Sequence, residues 1–396
     1  MKEFAIALLL ISGVIKVQLQ IMAPGTPDLT LIAILLLFLT TLFSLNAIFT
    51  LKRNFTELVG ASLFLAFSAM IVFSSVYADN EMVFVKLSKF GLVFFVFLIT
   101  LLNSNLDIKK TGLYYILFSF ISAVLFLIIY PKFKLGLLGA EADILKRSYL
   151  AFADSCVISM ILLVTINKDL RFKTLLILFF LLSLMLSGAR APLLFFVLLA
   201  SIAFAVKGSL FLIQNKGYSS LKFVSYTLLV VILSTSAIVN LDVSKIQQSS
   251  VMKTLELSAS RFQLLFSENK GASINVRTKH IDSSLDEISQ QLVGGVGLGG
   301  YSKYAFGIDK YDYPHNLFFE VWVENGIFAV LFLLGFLCLV FYSVSIQNYN
   351  PAILLIISYC FLNAQKSLSY ADNRVMIFWC AVALISSRLK LTECRS

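Results

Sequence analysis

The stretch YPHNLFFEVWVENG, residues 313–326, holds the residues best suited to chemistry. His315 is one of two histidines in the chain. A neutral imidazole is the side chain that takes up a proton near neutral pH. Pro314 biases Tyr313 away from helical backbone, and Asn316 is a residue type that caps a helix. Asn316, Glu320 and Glu324 then recur every four residues, so they share one face of the helix that follows. The positive end of that helix dipole favours a neutral His315. The pattern is a proton acceptor at the entry of a helix with a polar stripe.

Other candidates lie elsewhere. In SGARAPLLFF, Arg190 sits between two apolar runs. Two readings stand for it: a charge facing a cavity or an anionic partner, or a side chain snorkelling to headgroups. In LKRSYLAFADS, Arg147 and Asp154 are two helical turns apart and share a face. Asp154 in an apolar helix needs a cation, and Arg147 or Arg190 can supply it, which makes a structural ion pair the expected role. Lys86 and Lys89 lie one turn apart and read as snorkelling lysines, with phosphate contact as a second role. His280, one turn from Arg277 on a solvated helix, reads as a surface residue.

GVGLGG, residues 295–300, formally fits a dinucleotide fingerprint. That fingerprint requires a preceding strand and a following helix in a βαβ unit, which this context lacks. The glycines read instead as a turn whose backbone passes close to a ligand or to the membrane.

The elements that must position these residues are membrane helices. The chain is 59% hydrophobic and 14% charged, against about 25% charged in a soluble domain. Apolar runs reach the roughly 20 residues that span a bilayer. The fold expected is all-α and polytopic, with about twelve spans near 4–22, 28–49, 57–77, 82–103, 112–131, 148–166, 173–187, 191–207, 221–240, 317–344, 351–367 and 373–388. Nine of these fill 1–240. Residues 241–315 form one large, partly helical exported loop, 316–388 hold the last three spans, and 389–396 a cytoplasmic tail. Lys2 precedes the first apolar run, but Glu3 and Lys16 make a retained helix the expectation over a signal peptide. The short loops rich in Lys and Arg place both termini in the cytoplasm. The net charge of +10 belongs to those loops, so nucleic acid is excluded as a partner. Five cysteines show no metal-knuckle or redox spacing. Within the exported loop, Ile281, Leu285, Ile288 and Leu292 recur at helical spacing, Arg277 lies one turn before Ile281, and Gly294 and Gly295 end that helix.

The residues HNLFFEVWVENG resemble the His-Asn, nine-residue spacer, Gly signature of the O-antigen polymerase and O-antigen ligase family. His315, Asn316 and Gly326 occupy its fixed positions, and Ala329 stands where a further small residue or glycine often follows. LSGAR resembles the family's small-polar-Arg motif and carries Arg190. VRTKHIDSSLDEISQQLVGGVGLGGY resembles its loop arginine followed by a glycine turn and carries Arg277. KRSYLAF is similar to a looser segment and carries Arg147. The motifs all fall after about residue 145.

The resemblance implies a glycosyltransferase at the periplasmic face of the bacterial inner membrane. Its donor would be an undecaprenyl-diphosphate-linked glycan, and its acceptor a second lipid-linked glycan unit or the lipid A core. Arg190, Arg277 and Arg147 would bind the diphosphate, because guanidinium groups match phosphate oxygens. His315 would be the general base. Asn316, Glu320, Glu324, Asp154 and Gly326 would support them, with no metal and no cofactor. The polymerase is preferred over the ligase for its YPHN sequence; a chain-length regulator is a possible partner. A transporter for lipid-linked oligosaccharides is the alternative from another class.

Overall fold

The computed structural model describes residues 1–23, 25–42, 54–103, 106–134, 141–167, 170–214, 272–347 and 349–393. Side chains at 42, 130–134, 141–147, 190, 204–214, 272–274 and 387–393 fall outside that description. Thirteen α-helices are described: α1 (Lys2–Met22), α2 (Leu29–Leu42), α3 (Phe55–Tyr77), α4 (Val83–Leu102), α5 (Ile108–Lys134), α6 (Glu141–Thr165), α7 (Lys173–Ser187), α8 (Arg190–Gln214), α9 (Ala272–Gln290), α10 (Tyr301–Phe306), α11 (Leu317–Tyr342), α12 (Pro351–Ala364) and α13 (Arg374–Glu393). A π-helical turn, Ser343–Gln347, continues α11, and a 3₁₀ turn, Tyr370–Asp372, precedes α13. No strand occurs among the described residues.

Among the described residues, six helices are long and apolar enough to cross a membrane: α1, α3, α4, α5, α6 and α11, and five shorter apolar helices are α2, α7, α8, α12 and α13. Helices are the form in which a chain can satisfy its backbone in hydrocarbon without a closed barrel. The expected span near 221–240 and a helical piece near 243–266 lie outside the described residues.

The chain divides into two compact units. One comprises Met1–Ile6, Ile34–Thr111 and Gly271–Ser396; the other comprises Ala7–Ala33 and Gly112–Lys270. In the first, α11 packs along α3, and α13 lies against α4 and α12. Its centre is aromatic: Phe64 meets Phe97 at 4.0 Å and Phe336 at 5.1 Å between ring centroids. In the second, α6 packs on α7 and α8, and Phe126 stacks on Phe152 at 4.1 Å. Lys16, which interrupts the apolar run of α1, forms an ion pair with Asp28. Gly188 ends α7 in the left-handed conformation, φ 67°, which makes the tight turn into Arg190.

Asn316 caps α11 as its residue type predicts. It is extended, and its side-chain oxygen accepts from the Phe318 and Phe319 amides at 3.0 and 3.1 Å. The apolar run 317–344 is not one regular helix. Gly326 has φ 79° and ψ 176°, so α11 breaks there.

That break explains the glycine turn. The carbonyls of Val323 and Glu324, released from the helix ladder, accept from the Val296 amide at 2.7 Å and the Gly297 amide at 3.0 Å. Gly295, Gly297 and Gly299 are all left-handed. A Cβ on Gly295 would lie 2.6 Å from the Val323 carbonyl oxygen, and one on Gly297 would lie 2.7 Å from the Ala78 Cα. The turn also donates Leu298 N–H to the Ser74 carbonyl at 3.4 Å and accepts from Asn80 Nδ2 at 2.9 Å. Its backbone therefore approaches a broken helix and the end of α3. Ile288, Val296, Tyr301 and Val323 form a small core beneath it.

Candidate functional site

His315 enters the first unit on the loop between α10 and α11. Its φ of 57° makes it the one non-glycine residue in the left-handed region among the described residues. Such backbone persists where its surroundings enforce it, and it gathers at functional sites. Here the enforcement comes from buried Pro314 on one side and the Asn316 cap on the other.

The imidazole of His315 packs edge-on against Tyr313 at 4.7 Å and against His280 at 5.2 Å. Its Nδ1 atom is buried and has no hydrogen-bond partner. Burial pushes its pKa down to about 4, and His280 and Arg277 push the same way while Asp312 opposes them. The neutral imidazole expected from the helix dipole is therefore present, but desolvation is its main cause. Arg277 lies near enough for its charge to act on both His315 and Tyr313.

His280 is not a surface residue. Only 6% of it is exposed, and its Nδ1 lies 2.8 Å from the Tyr301 hydroxyl. Burial lowers its pKa. The buried face of α9 is His280, Ser284 and Ile288, whereas Ile281, Leu285 and Leu292 are exposed. The apolar periodicity thus marked the outward face, sharing only Ile288 with the inward one. Both histidines of the chain meet Asp312 in one cluster, with a ligand atom of each within 4.8 Å of the others.

Glu320 and Glu324 look into protein, as their spacing requires, and are fully buried. Lys86 lies between them, with Nζ 2.5 Å from Glu320 Oε1 and 2.7 Å from Glu324 Oε1. Lys86 is 1% exposed, so it does not snorkel, and its charge is already matched. The remaining carboxylate oxygens are satisfied too. Ser369 Oγ donates to Glu320 Oε1 at 2.5 Å, the Tyr370 amide to Glu320 Oε2 at 3.1 Å, and the Tyr370 hydroxyl to Glu324 Oε2 at 3.0 Å. The ammonium also lies 4.8 Å from the Tyr370 ring centre. This network fixes the first turns of α11 behind His315 and offers no free carboxylate. Lys89 does keep surface exposure, paired with Asp372 at 3.0 Å and 3.8 Å from the Tyr311 ring centre. Tyr311 in turn donates to Asp372 at 2.7 Å, and Tyr313 donates to the Ser367 carbonyl at 2.7 Å.

The structure thus brings His315, Asn316, Glu320, Glu324, Gly326 and Arg277 into one unit. Asp154 belongs to the other unit and is buried in α6. Arg147 and Arg190 belong to that unit as well, and their side chains lie outside the described residues. The sequence reading missed His280 and Lys86. A four-residue stripe of His280, Ser284 and Ile288 was the available signal for the first; nothing local signalled the second.

Residues 175–334 match the family model of the O-antigen ligases. That stretch contains Arg190, Arg277, His315, Asn316, Glu320, Glu324 and Gly326, and excludes Arg147 and Asp154. No curated protein matches the chain. The match shows a similarity to the O-antigen ligase and polymerase family over that stretch, and the long apolar helices fit a multi-pass membrane protein.

Proposed function

We propose that the chain polymerises undecaprenyl-diphosphate-linked glycan repeat units at the periplasmic face of the inner membrane. The observation that carries this reading is the His315 imidazole: strained in backbone, buried at Nδ1 without a partner, and under the charge of Arg277. An acceptor hydroxyl attacks the anomeric carbon of the donor glycan. The bond from that carbon to the diphosphate oxygen breaks, and the diphosphate leaves with the electron pair. His315 takes the hydroxyl proton, and Arg277 offsets charge gathering on the leaving group. Arg190 and Arg147 are proposed as further diphosphate contacts on the sequence resemblance alone. Asn316 and the Lys86–Glu320–Glu324 network hold the base in place, and Gly326 admits the turn behind it.

A second reading is favoured by the matching family's description as ligases: transfer of the same glycan to lipid A core. Purified protein in lipid nanodiscs, given a short lipid-diphosphate glycan with and without core, separates the two. A ladder without core supports the polymerase. A single transfer that needs core supports the ligase. Movement of the lipid across vesicles without any new glycosidic bond overturns both in favour of a transporter. His315→Ala should lower transfer roughly a hundredfold or more; unchanged transfer in that variant removes His315 as the base.

A further inference from the structure

We propose that His280, Asp312 and His315 form a binding site for a divalent transition-metal ion of the zinc type, and that its occupancy blocks His315 as a base. The site stands apart from the proposed function; its effect on catalysis rests on that reading.

The ligand atoms already converge. One from each residue lies within 4.8 Å of the other two, while ligands around a tetrahedral zinc are about 3.3 Å apart for bonds of about 2.0–2.1 Å. Side-chain rotations that bring the ligand atoms closer by up to about 1.5 Å close that gap. Two imidazoles and one carboxylate suit zinc and its neighbours, whereas magnesium and calcium take oxygen.

The surroundings of His280 resemble those of a prepared ligand. The Tyr301 hydroxyl can donate to the His280 carbonyl at 3.1 Å and lies 2.8 Å from Nδ1, where it can accept the ring proton. With the proton on Nδ1, the lone pair is on Nε2. Metal-bound histidines commonly donate their other nitrogen in this way, which fixes tautomer and ring orientation. On His315 the buried Nδ1 atom is an unsatisfied polar group, and such a group calls for a partner. Asp312 accepts from the Tyr313 amide at 3.0 Å through Oδ1 and pairs with Lys310 at 3.0 Å through Oδ2. Each carboxylate oxygen keeps a second lone pair, and Lys310 is exposed at the surface, so it holds the half-buried Asp312 weakly.

The charges of Arg277, Lys279 and Lys310 act on the two histidines and oppose a cation. The affinity expected is therefore about micromolar, weaker than that of structural zinc sites. A bound ion would take a His315 lone pair, and a histidine so engaged cannot accept the acceptor's proton. Zinc should then inhibit transfer reversibly.

The test uses full-length, untagged protein in nanodiscs, stripped with chelator and dialysed against zinc chloride. Retention of one zinc per chain is expected, with at least a tenfold loss in His280→Ala and in Asp312→Ala. Arg277→Ala should bind zinc more tightly, because an opposing charge is gone; a merely structural arginine would not do this. Cobalt(II) gives a measurement on the unaltered chain. Visible bands of a four- or five-coordinate ion support the site, and the spectrum of the hydrated ion alone overturns it. Zinc retained equally by wild type, His280→Ala and Asp312→Ala also overturns it. Zinc that binds at this site yet leaves transfer unchanged overturns the blocking role and the reading of His315 as base, while the metal site stands.

Discussion

Gly326→Ala puts a methyl group where the backbone has no room for one. At φ 79° and ψ 176° the residue occupies a region that is essentially reserved for glycine. Holding an L-residue there costs about 1–3 kcal/mol. The new carbon would also lie 2.7 Å from the Val293 carbonyl carbon and overlap its oxygen. Relief requires the 293–297 segment to withdraw from α11. Withdrawal breaks the Val296 and Gly297 amide bonds to the Val323 and Glu324 carbonyls. Each buried group left unpaired costs about 1–3 kcal/mol. The loss of local stability is therefore about 3 kcal/mol or more. Hydrogen exchange in nanodiscs reads it directly: the Val296 and Gly297 amides should exchange about a hundredfold faster, at 1.36 kcal/mol per tenfold. Gly335→Ala is the control. Its Cβ would sit 3.5 Å from Leu63, an ordinary contact, and in a helix interior it should gain up to about 1 kcal/mol. Protection of Val296 and Gly297 in Gly326→Ala equal to wild type would refute the account of the break.

Lys86→Met should destabilise by about 3–5 kcal/mol, because two buried carboxylates lose their common cation. Thermal unfolding in detergent measures it, and adding Glu320→Gln with Glu324→Gln should restore most of the loss. Asn316→Ala should lose about 1 kcal/mol of helix capping, and Asn316→Asp should keep it; equal melting temperatures for the two would count against the cap. The base must be neutral, and it is neutral above its own pKa, which burial lowers to about 4 from the usual 6.5. In chelator-treated enzyme, kcat/KM should thus hold through pH 6 and fall only towards 4. An acid limb near 6.5 would show that His315 titrates as an exposed histidine.

Much of the fold was legible because apolar run length is a strong signal. The start of α11 at Leu317 and the limits of α7 follow directly from it. The break in α11 was not legible: a glycine in an apolar run reads as a tolerated helix residue, and its torsion is set by a loop arriving from elsewhere. His280 was hidden for a similar reason. Its neighbours Lys279 and Asp282 made the segment look solvated, and the Ile281–Leu285 periodicity pointed to the exposed face. The pairing of Lys86 depends on carboxylates more than two hundred residues away, which no local pattern encodes. His315 stood out because rarity, a proline and a cap fell together in one short stretch.

The Lys86 network also bears on how the chain is made. Lys86 leaves the ribosome 234 residues ahead of Glu320. Throughout that interval α4 carries, in its first turn, a cation whose partners do not yet exist, and the lysine must reach for the membrane interface instead. The arrival of α11 ends this, and Ser369 and Tyr370 complete the shell later still. Biogenesis therefore has a late locking step. A nascent chain stalled before α11 would present a lone lysine to membrane quality control, whereas the finished chain conceals it.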